Sequence, residues 1–238
     1  MAYVIKEEAP AGIHKDGLMT RVVTSAVFAL VWLAGICIPL KYFLLPLLCA
    51  VVAGFGVYEY LQLTKGHGPT WLNAVLGVLY LVLPLSCLLI LRSLSGIGLG
   101  LAVTLTLSVW GADTAAYIFG SLFGKHKLIP KISPKKSWEG AIAGLLLSMI
   151  LWTVVPRFFF AGGLGWIIGP AVGLLVAVAG LGGDLFESHL KRHAGVKDSG
   201  TLLPGHGGIL DRFDSLLVAA PVATLSISVV ILITFLRG

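Results

Sequence analysis

The feature that most constrains this chain is a series of long apolar stretches, separated by short connections and two longer polar loops. A helix needs about 20 largely apolar residues to cross a bilayer, where it satisfies its own backbone polar groups. Seven stretches are long enough, and they lie near residues 19–38, 40–62, 71–91, 95–120, 138–156, 164–190 and 215–237. The sequence predicts an all-α, polytopic integral membrane bundle of about seven long transmembrane segments, and more if some helices are short or broken.

The composition excludes several other classes of protein. Of the 238 residues, 57% are hydrophobic and 12% are charged, whereas about a quarter of the residues of a soluble domain are charged. A soluble fold and a disordered chain are therefore excluded. The net charge of +6 would indicate nucleic-acid binding in a soluble protein, but in a membrane protein Lys and Arg first report topology and lipid contact. We expect no nucleic-acid partner.

The Lys and Arg residues also predict the orientation, because cytosolic connections of membrane proteins are enriched in them. With a cytosolic N-terminus, the outer segments hold only Lys41, Arg92, Arg157 and Arg237, and the other Lys and Arg residues lie on the cytosolic side. The sequence predicts a multi-pass protein of the cytoplasmic (inner) membrane with a short cytosolic arm over residues 1–18. The C-terminus is expected on the outer side of the membrane. One helix more or fewer would place it on the cytosolic side instead.

Acidic residues concentrate beside the two polar loops, 121–137 and 191–214, which both fall on the predicted cytosolic face. Seven of the 11 acidic residues lie here, namely Asp113, Glu139, Asp184, Glu187, Asp198, Asp211 and Asp214. Asp113 lies inside the fourth apolar stretch, where a carboxylate costs a few kcal/mol unless it faces a cavity or a partner. It is either a site residue or a structural partner that holds two helices together.

Asp184, Glu187, Ser188 and Lys191 are spaced so that they share one face at the end of the sixth apolar stretch. Two carboxylates, a hydroxyl and an ammonium in one stripe can hold a hard cation with an anion beside it. The alternative is a solvated helix end with ordinary pairs between residues three or four apart. The stripe alone leaves both interpretations open.

A Gly-rich turn and two further acids precede the last apolar stretch. Gly207 and Gly208 let backbone N–H groups approach phosphate oxygens closely. Asp211 and Asp214 also fit a simpler role as a capping box, which the helix dipole favours. The other polar loop carries five lysines that suit polyphosphate or anionic lipid headgroups, namely Lys125, Lys127, Lys131, Lys135 and Lys136.

Two familiar motifs are close to this sequence but do not match it. Gly120 to His126 resembles a phosphate-binding P-loop, but it has too few residues between its glycines and lacks the hydroxyl that binds Mg²⁺. His189 and His193 have the spacing of a zinc helix, but Leu190 stands where a zinc protease carries its general base. A P-loop and a zinc protease are therefore excluded.

A long motif runs through the second polar loop. It comprises Ser188-His-Leu-Lys191-Arg192, Lys197-Asp198-Ser-Gly200 and Leu203-Pro204-Gly-His206-Gly207-Gly208-Ile-Leu-Asp211-Arg212-Phe-Asp214. This motif resembles the signature of the bacterial phosphatidate cytidylyltransferases, or CDP-diacylglycerol synthases. The segments 110–117, 125–140 and 182–188 resemble the same family, whereas before residue 105 only Tyr58-Glu59-Tyr60 does. Ser137 stands where relatives often have Thr, and the family fold has more helices than the seven stretches found here.

The resemblance implies an enzyme of phospholipid biosynthesis that makes CDP-diacylglycerol and pyrophosphate from CTP and phosphatidic acid. It implies Mg²⁺ as cofactor, with a second metal or K⁺ left open, and a phosphatidate oxygen that attacks the α-phosphorus of CTP. The reaction would take place in a polar cavity at the cytosolic face. A homodimer is a further implication. Residues 1–104 are expected to form N-terminal transmembrane helices, and residues 105–238 the catalytic region of a single membrane domain.

The motif positions give each candidate residue a role. The expected metal ligands are Asp184, Asp211, Asp113, Ser188 and Glu187. The expected catalytic residues are Asp184, Asp211, Asp214, Lys191 and Arg212. The groups expected to bind the substrates are Lys191, Arg192, Lys197, His206, Gly207, Gly208, Lys125, Lys135, Lys136 and Ser137. Two alternatives stay open, a CTP-dependent membrane lipid kinase and a cation-coupled anion transporter.

Overall fold

Seven helices make up most of the chain in a computed structural model that describes residues 15–161, 163–200, 202 and 207–237. The helices are α1 (Lys15–Cys37), α2 (Leu44–Leu63), α3 (Thr70–Ser93), α4 (Gly98–Phe123), α5 (Trp138–Val154), α6 (Gly165–His193) and α7 (Leu210–Arg237). A short 3₁₀ turn at Leu40–Tyr42 lies between α1 and α2, and another at Val155–Phe158 directly follows α5. Among the described residues, six helices, α2 to α7, are long and apolar enough to cross a membrane, and the apolar part of α1, Val23–Cys37, is shorter. The predicted all-α polytopic membrane bundle is confirmed.

The helix ends differ from the prediction at two places. α1 already begins at Lys15, inside the predicted cytosolic arm, of which residues 1–14 lie outside the described residues. α7 begins at Leu210 rather than at residue 215. Its first turn carries polar side chains, which a count of apolar residues leaves out, although they belong to the helix.

A small β-hairpin, which the sequence did not predict, connects α4 to α5. Its strands are β1 (Lys127–Ile129) and β2 (Ser133–Ser137), and they pair antiparallel with Lys127 opposite Ser137. Ser137 ends the hairpin and begins the next helix, because its Oγ accepts a hydrogen bond from the Gly140 backbone N–H at 3.2 Å. The hairpin therefore holds the lysines of this loop beside the ends of α4 and α5.

Glycines let the last four helices approach one another closely. A Cβ atom at Gly144 would lie 2.8 Å from the Ala112 carbonyl oxygen of α4, and one at Gly173 would lie 2.6 Å from Met149 Cα of α5. Gly183 of α6 has no room for a Cβ against the Asp214 carbonyl of α7. Real Cβ atoms do not come this close to backbone, so only Gly permits this packing. The packing brings the polar parts of α4, α6 and α7 together.

The first three helices pack against the same core. The Trp32 ring of α1 meets the Phe213 ring of α7 at 4.7 Å between centroids, in an edge-to-face arrangement. Thr224 of α7 donates a hydrogen bond to the Cys87 carbonyl of α3 at 3.0 Å. His67 lies between α2 and α3, and its ring centroid is 4.4 Å from that of His193 at the end of α6. The α2–α3 connection therefore lies at the same end of the bundle as the end of α6 and the start of α7.

Candidate active site

Three carboxylates from three different helices face one region near the polar end of the bundle. Asp113 of α4 and Asp214 of α7 line a cavity of about 380 Å³ together with Asp211 and Arg212. Asp184 of α6 lies close enough to Asp113 and Asp214 to interact with both electrostatically. Asp113 is exposed to this space, although it lies within a membrane-spanning helix. The sequence candidates Asp113, Asp184 and Asp214 are thus brought together.

The β-hairpin supplies positive charge to this group of carboxylates. Lys136 of β2 forms an ion pair with Asp184. Ser188, one turn further along α6, donates a hydrogen bond to Asp184 Oδ1 at 3.3 Å. Lys136 therefore places one positive charge beside the carboxylates of three helices. Asp184 and Ser188, two members of the expected stripe on α6, contact each other directly.

A second cavity, of about 620 Å³, lies on the hairpin side of Asp113. Its polar lining includes Lys127, Lys135, Lys136 and Ser137, and its apolar lining includes Tyr117 and Leu181. Asp113 lines both this cavity and the smaller one. Two spaces of different character thus meet at one carboxylate.

Lys191 joins two acids, on α6 and α7, that the sequence suggested as metal ligands. Its Nζ lies 2.5 Å from Glu187 Oε2 and 2.6 Å from Asp211 Oδ1. Glu187 is completely buried. Asp211 directs its other oxygen, Oδ2, at Ser199 and Gly208. Asp211 therefore uses both oxygens within the protein, whereas Glu187 Oε1 has no hydrogen-bond partner among the described residues.

Asp211 organises the turn before α7. Its Oδ2 accepts hydrogen bonds from the Ser199 N–H at 2.9 Å, the Ser199 hydroxyl at 3.0 Å and the Gly208 N–H at 2.8 Å. Gly208 lies three residues earlier, so Asp211 accepts this bond as the acid of a capping box does. Gly207 adopts a φ of +79°, which favours glycine. The arrangement differs from the predicted capping box of Asp211 with Asp214, because Asp211 accepts from Gly208 and Asp214 Oδ1 accepts from the Ser215 N–H at 2.6 Å. The Gly208 N–H is thus used inside the turn.

Glu59 of α2 is a buried carboxylate that the sequence did not identify as a site residue. Its oxygens accept hydrogen bonds from the Ile209 N–H at 3.0 Å and the Leu210 N–H at 2.8 Å. The Ser199 hydroxyl lies 2.9 Å from Glu59 Oε2, and its single proton is shared between Glu59 and Asp211. The available signal was the one that marked Asp113, a carboxylate inside an apolar stretch. Its partners could not be foreseen, because they lie 140 to 151 residues away in the chain.

The other sequence candidates lie further out. Lys125 in the first polar loop and Lys197 in the second are exposed, and Arg192 donates a hydrogen bond to the Val196 carbonyl at 3.0 Å. Arg212 is exposed and lines the smaller cavity. His206 lies outside the described residues. The structure thus brings Arg212 to the carboxylate region but leaves Lys125, Arg192 and Lys197 at the surface.

The donor set fits a divalent cation that arrives with phosphate. In residues 15–161, 163–200, 202 and 207–237, no three His, Cys, Asp or Glu side chains are arranged to hold a metal by themselves. Mg²⁺ characteristically uses one or two carboxylates and completes its shell with waters and substrate phosphates. Asp184, with Asp113 and Asp214 nearby, has this character. The metal roles expected for Asp184, Asp211, Asp113, Ser188 and Glu187 all stay predictions.

Comparison with known proteins agrees with the resemblance noted in the sequence. Residues 68–230 match the model of the Cytidylyltransferase family. The chain is 54% identical over 116 residues to a phosphatidate cytidylyltransferase of Staphylococcus haemolyticus, a match that covers 48% of this chain and 44% of that protein. Enzymes of the same name from Staphylococcus saprophyticus and Staphylococcus aureus strain COL are 51% and 52% identical over 115 residues, again 48% of this chain and 44% of each relative. The matches thus span less than half the length of these relatives, while the family model covers most of this chain, and the chain belongs to the cytidylyltransferase family.

Proposed function

We propose that the protein is a CTP:phosphatidate cytidylyltransferase that makes CDP-diacylglycerol and pyrophosphate. The observation that carries the proposal is the meeting of two cavities at Asp113, one lined by lysines and apolar side chains and the other by Arg212 and carboxylates. A reaction between a lipid and a nucleotide needs two such spaces that share one reacting point. Family membership and the names of the relatives support the same reaction.

The larger cavity suits the lipid substrate. Lys127, Lys135 and Lys136 offer three ammonium groups to a phosphate monoester, and Tyr117 and Leu181 offer apolar surface to the glycerol and the acyl chains. α4, which carries Tyr117, is a membrane-spanning helix with that side chain exposed. Phosphatidic acid would therefore keep its acyl chains in the bilayer while its headgroup meets the lysines.

The smaller cavity, beside Arg212, suits the triphosphate of CTP. In the reaction, a phosphatidate oxygen attacks the α-phosphorus of CTP, the bond from that phosphorus to the β-phosphate oxygen breaks, and pyrophosphate leaves. No protein nucleophile is needed. The task of the protein is to align the two phosphates and to neutralise their charge. Lys136 and Arg212 approach the reacting point from opposite cavities, and each would contribute positive charge there.

Asp184, with Asp113 and Asp214 beside it, would hold Mg²⁺ in this site. The bound ion would neutralise charge on the phosphate oxygens and on the departing pyrophosphate. Lys136, which pairs with Asp184 in the structure, would then turn to the phosphatidate headgroup. CTP is a cytosolic nucleotide, so the polar end of the bundle would face the cytosol, as the Lys and Arg distribution predicts. The homodimer that the resemblance implies adds nothing to this account of the reaction.

The test measures transfer of label from α-labelled CTP to phosphatidic acid by the purified full chain in detergent, with and without Mg²⁺. We expect label in lipid with the wild-type protein and almost none with Asp184→Asn. Glu139→Gln is the matched control, because it also exchanges a carboxylate for an amide, and Glu139 pairs with His126 at 2.6 Å and lines neither of the two cavities.

Three results would overturn the proposal. Transfer of γ-label instead of α-label would indicate the lipid kinase. Vesicle flux of phosphate without nucleotide turnover would indicate the transporter. A folded wild-type protein that moves no α-label with any divalent ion also contradicts the proposal.

A further inference from the structure

A carboxylate of α2 fixes the start of α7. The first N–H groups of a helix have no partner inside the helix, and Glu59 supplies acceptors for two of them, those of Ile209 and Leu210. The helix dipole also favours a negative charge at this end. Glu59 is only 4% exposed, although it borders a separate cavity of about 910 Å³ together with Ser199 and Gly200. Its carboxylate is occupied by donors of the protein, and it lines neither of the two cavities that meet at Asp113.

Ser199 links Glu59 to the candidate active site. Its hydroxyl lies 2.9 Å from Glu59 Oε2 and 3.0 Å from Asp211 Oδ2. Asp211 in turn bonds Lys191. A continuous set of contacts thus runs from α2, through the loop after α6, to the first turn of α7. Arg212, the next residue, lines the cavity that we assign to CTP.

Two glycines, Gly200 and Gly208, leave the space that the Glu59 side chain occupies. A Cβ atom at Gly200 would lie 2.6 Å from Glu59 Oε1, and one at Gly208 would overlap Glu59 Oε2 and the Ser199 hydroxyl. Two glycines of the Gly-rich motif therefore leave room for this carboxylate. That is a second reason for Gly at these positions, beside the approach of phosphate.

We propose that Glu59 is a positioning residue for the nucleotide site: it holds Ser199, Ile209 and the first turn of α7 in the geometry that presents Arg212 and Asp211. The inference rests on the proposed function for its link to CTP. Glu59 precedes the region that matches the family model, which begins at residue 68. The first helices would therefore contribute to the active site as well as to the membrane anchor.

The experiment compares Glu59→Gln with wild type and with Thr64→Val. Gln keeps the size of Glu but offers one acceptor oxygen where Glu offers two, so an amide N–H₂ must face a donor. Thr64 is the matched control, because it is buried near Glu59 at the end of α2 and its hydroxyl bonds only the Tyr60 carbonyl of its own helix. Hydrogen–deuterium exchange of the 198–212 peptide and steady-state kinetics are measured on each protein in detergent.

We expect exchange in the 198–212 peptide to rise by about tenfold in Glu59→Gln, as the loss of one hydrogen bond to a charged group would cause. The α6 peptide 165–190 should keep its wild-type exchange. The KM for CTP should rise by about tenfold, while the KM for phosphatidic acid stays within about twofold. A purely structural weakening would alter both KM values or neither.

Ser199→Ala keeps the experiment decisive if Glu59→Gln does not fold. It leaves Glu59 bonded to the two backbone N–H groups and removes the hydroxyl that connects Glu59 with Asp211, so a smaller rise in the KM for CTP is expected. Wild-type exchange and an unchanged KM for CTP in the folded variants would overturn the inference, as would an equal effect of Thr64→Val. If wild type transfers no label, the proposed function fails, and the exchange data still decide whether Glu59 holds the loop.

Discussion

Replacement of Lys191 by Met tests the buried ion pairs in the centre of the site. Lys191 pairs with Glu187 and Asp211, but only one of these two carboxylates lacks other hydrogen-bond donors. Without Lys191, Asp211 keeps three donors, two from Ser199 and one from Gly208. Glu187 is fully buried, and within the described part of the chain neither of its oxygens has another hydrogen-bond partner. The cost of the substitution therefore falls on Glu187.

The magnitude follows from leaving a buried carboxylate without its counter-charge. Removal of one partner of a buried pair costs about 3–5 kcal/mol, which lowers the ratio of folded to unfolded protein by at least about a hundredfold. Replacement of both partners by apolar residues of similar volume is often neutral. We therefore expect Lys191→Met to destabilise the protein strongly and the double variant Glu187→Met, Lys191→Met to recover most of the loss.

The assay is equilibrium unfolding in mixed micelles, with Arg192→Met as the control. Arg192 is the neighbouring cation, it is exposed, and its Nη1 bonds the Val196 carbonyl, so its loss should cost about 0.5 kcal/mol or less. A Lys191→Met variant as stable as Arg192→Met would refute the reasoning. So would a double variant no more stable than the single one, because Glu187 would then not be the residue that needs Lys191. Label transfer by the recovered double variant separately reports whether Lys191 also binds substrate.

Two further predictions follow from the cavity and the helix packing. Lys136→Gln should raise the KM for phosphatidic acid by about tenfold or more, and Lys131→Gln should not, because Lys131 is exposed and lines neither of the two cavities; equal kinetics for both variants would contradict the assignment of the lipid cavity. Gly173→Ala should destabilise the protein by about 1–3 kcal/mol, as overpacking does, whereas Gly182→Ala on the same helix meets open space and should be close to neutral in the same unfolding measurement.

The sequence predicted the helices well because apolar length is a local property. It also predicted that Asp184 and Ser188 share a face, since that depends only on helical spacing, and the two side chains do bond. The hairpin was missed because its strands are short, and β2 carries Pro134 and two lysines instead of alternating apolar residues. The partner of Lys136 was missed for a different reason, because it comes from another helix.

Asp211 and Glu59 show why contacts between distant parts of the chain could not be predicted from the sequence. Two roles were predicted for Asp211, metal ligand and a capping box with Asp214, whereas in the structure its Oδ2 accepts from Ser199 and Gly208 before the helix. No role could be predicted for Glu59 from its neighbours in the sequence. Its spacing on α2 matches no capping pattern, and its partners are far along the chain. Both carboxylates nevertheless bond the same Ser199 hydroxyl. The start of α7 therefore depends on a residue before the family-matched region, and a segment that begins at residue 68 would leave the Ile209 and Leu210 N–H groups without their acceptor. The geometry of the Gly-rich motif is thus a property of the whole bundle, although its sequence signature is local.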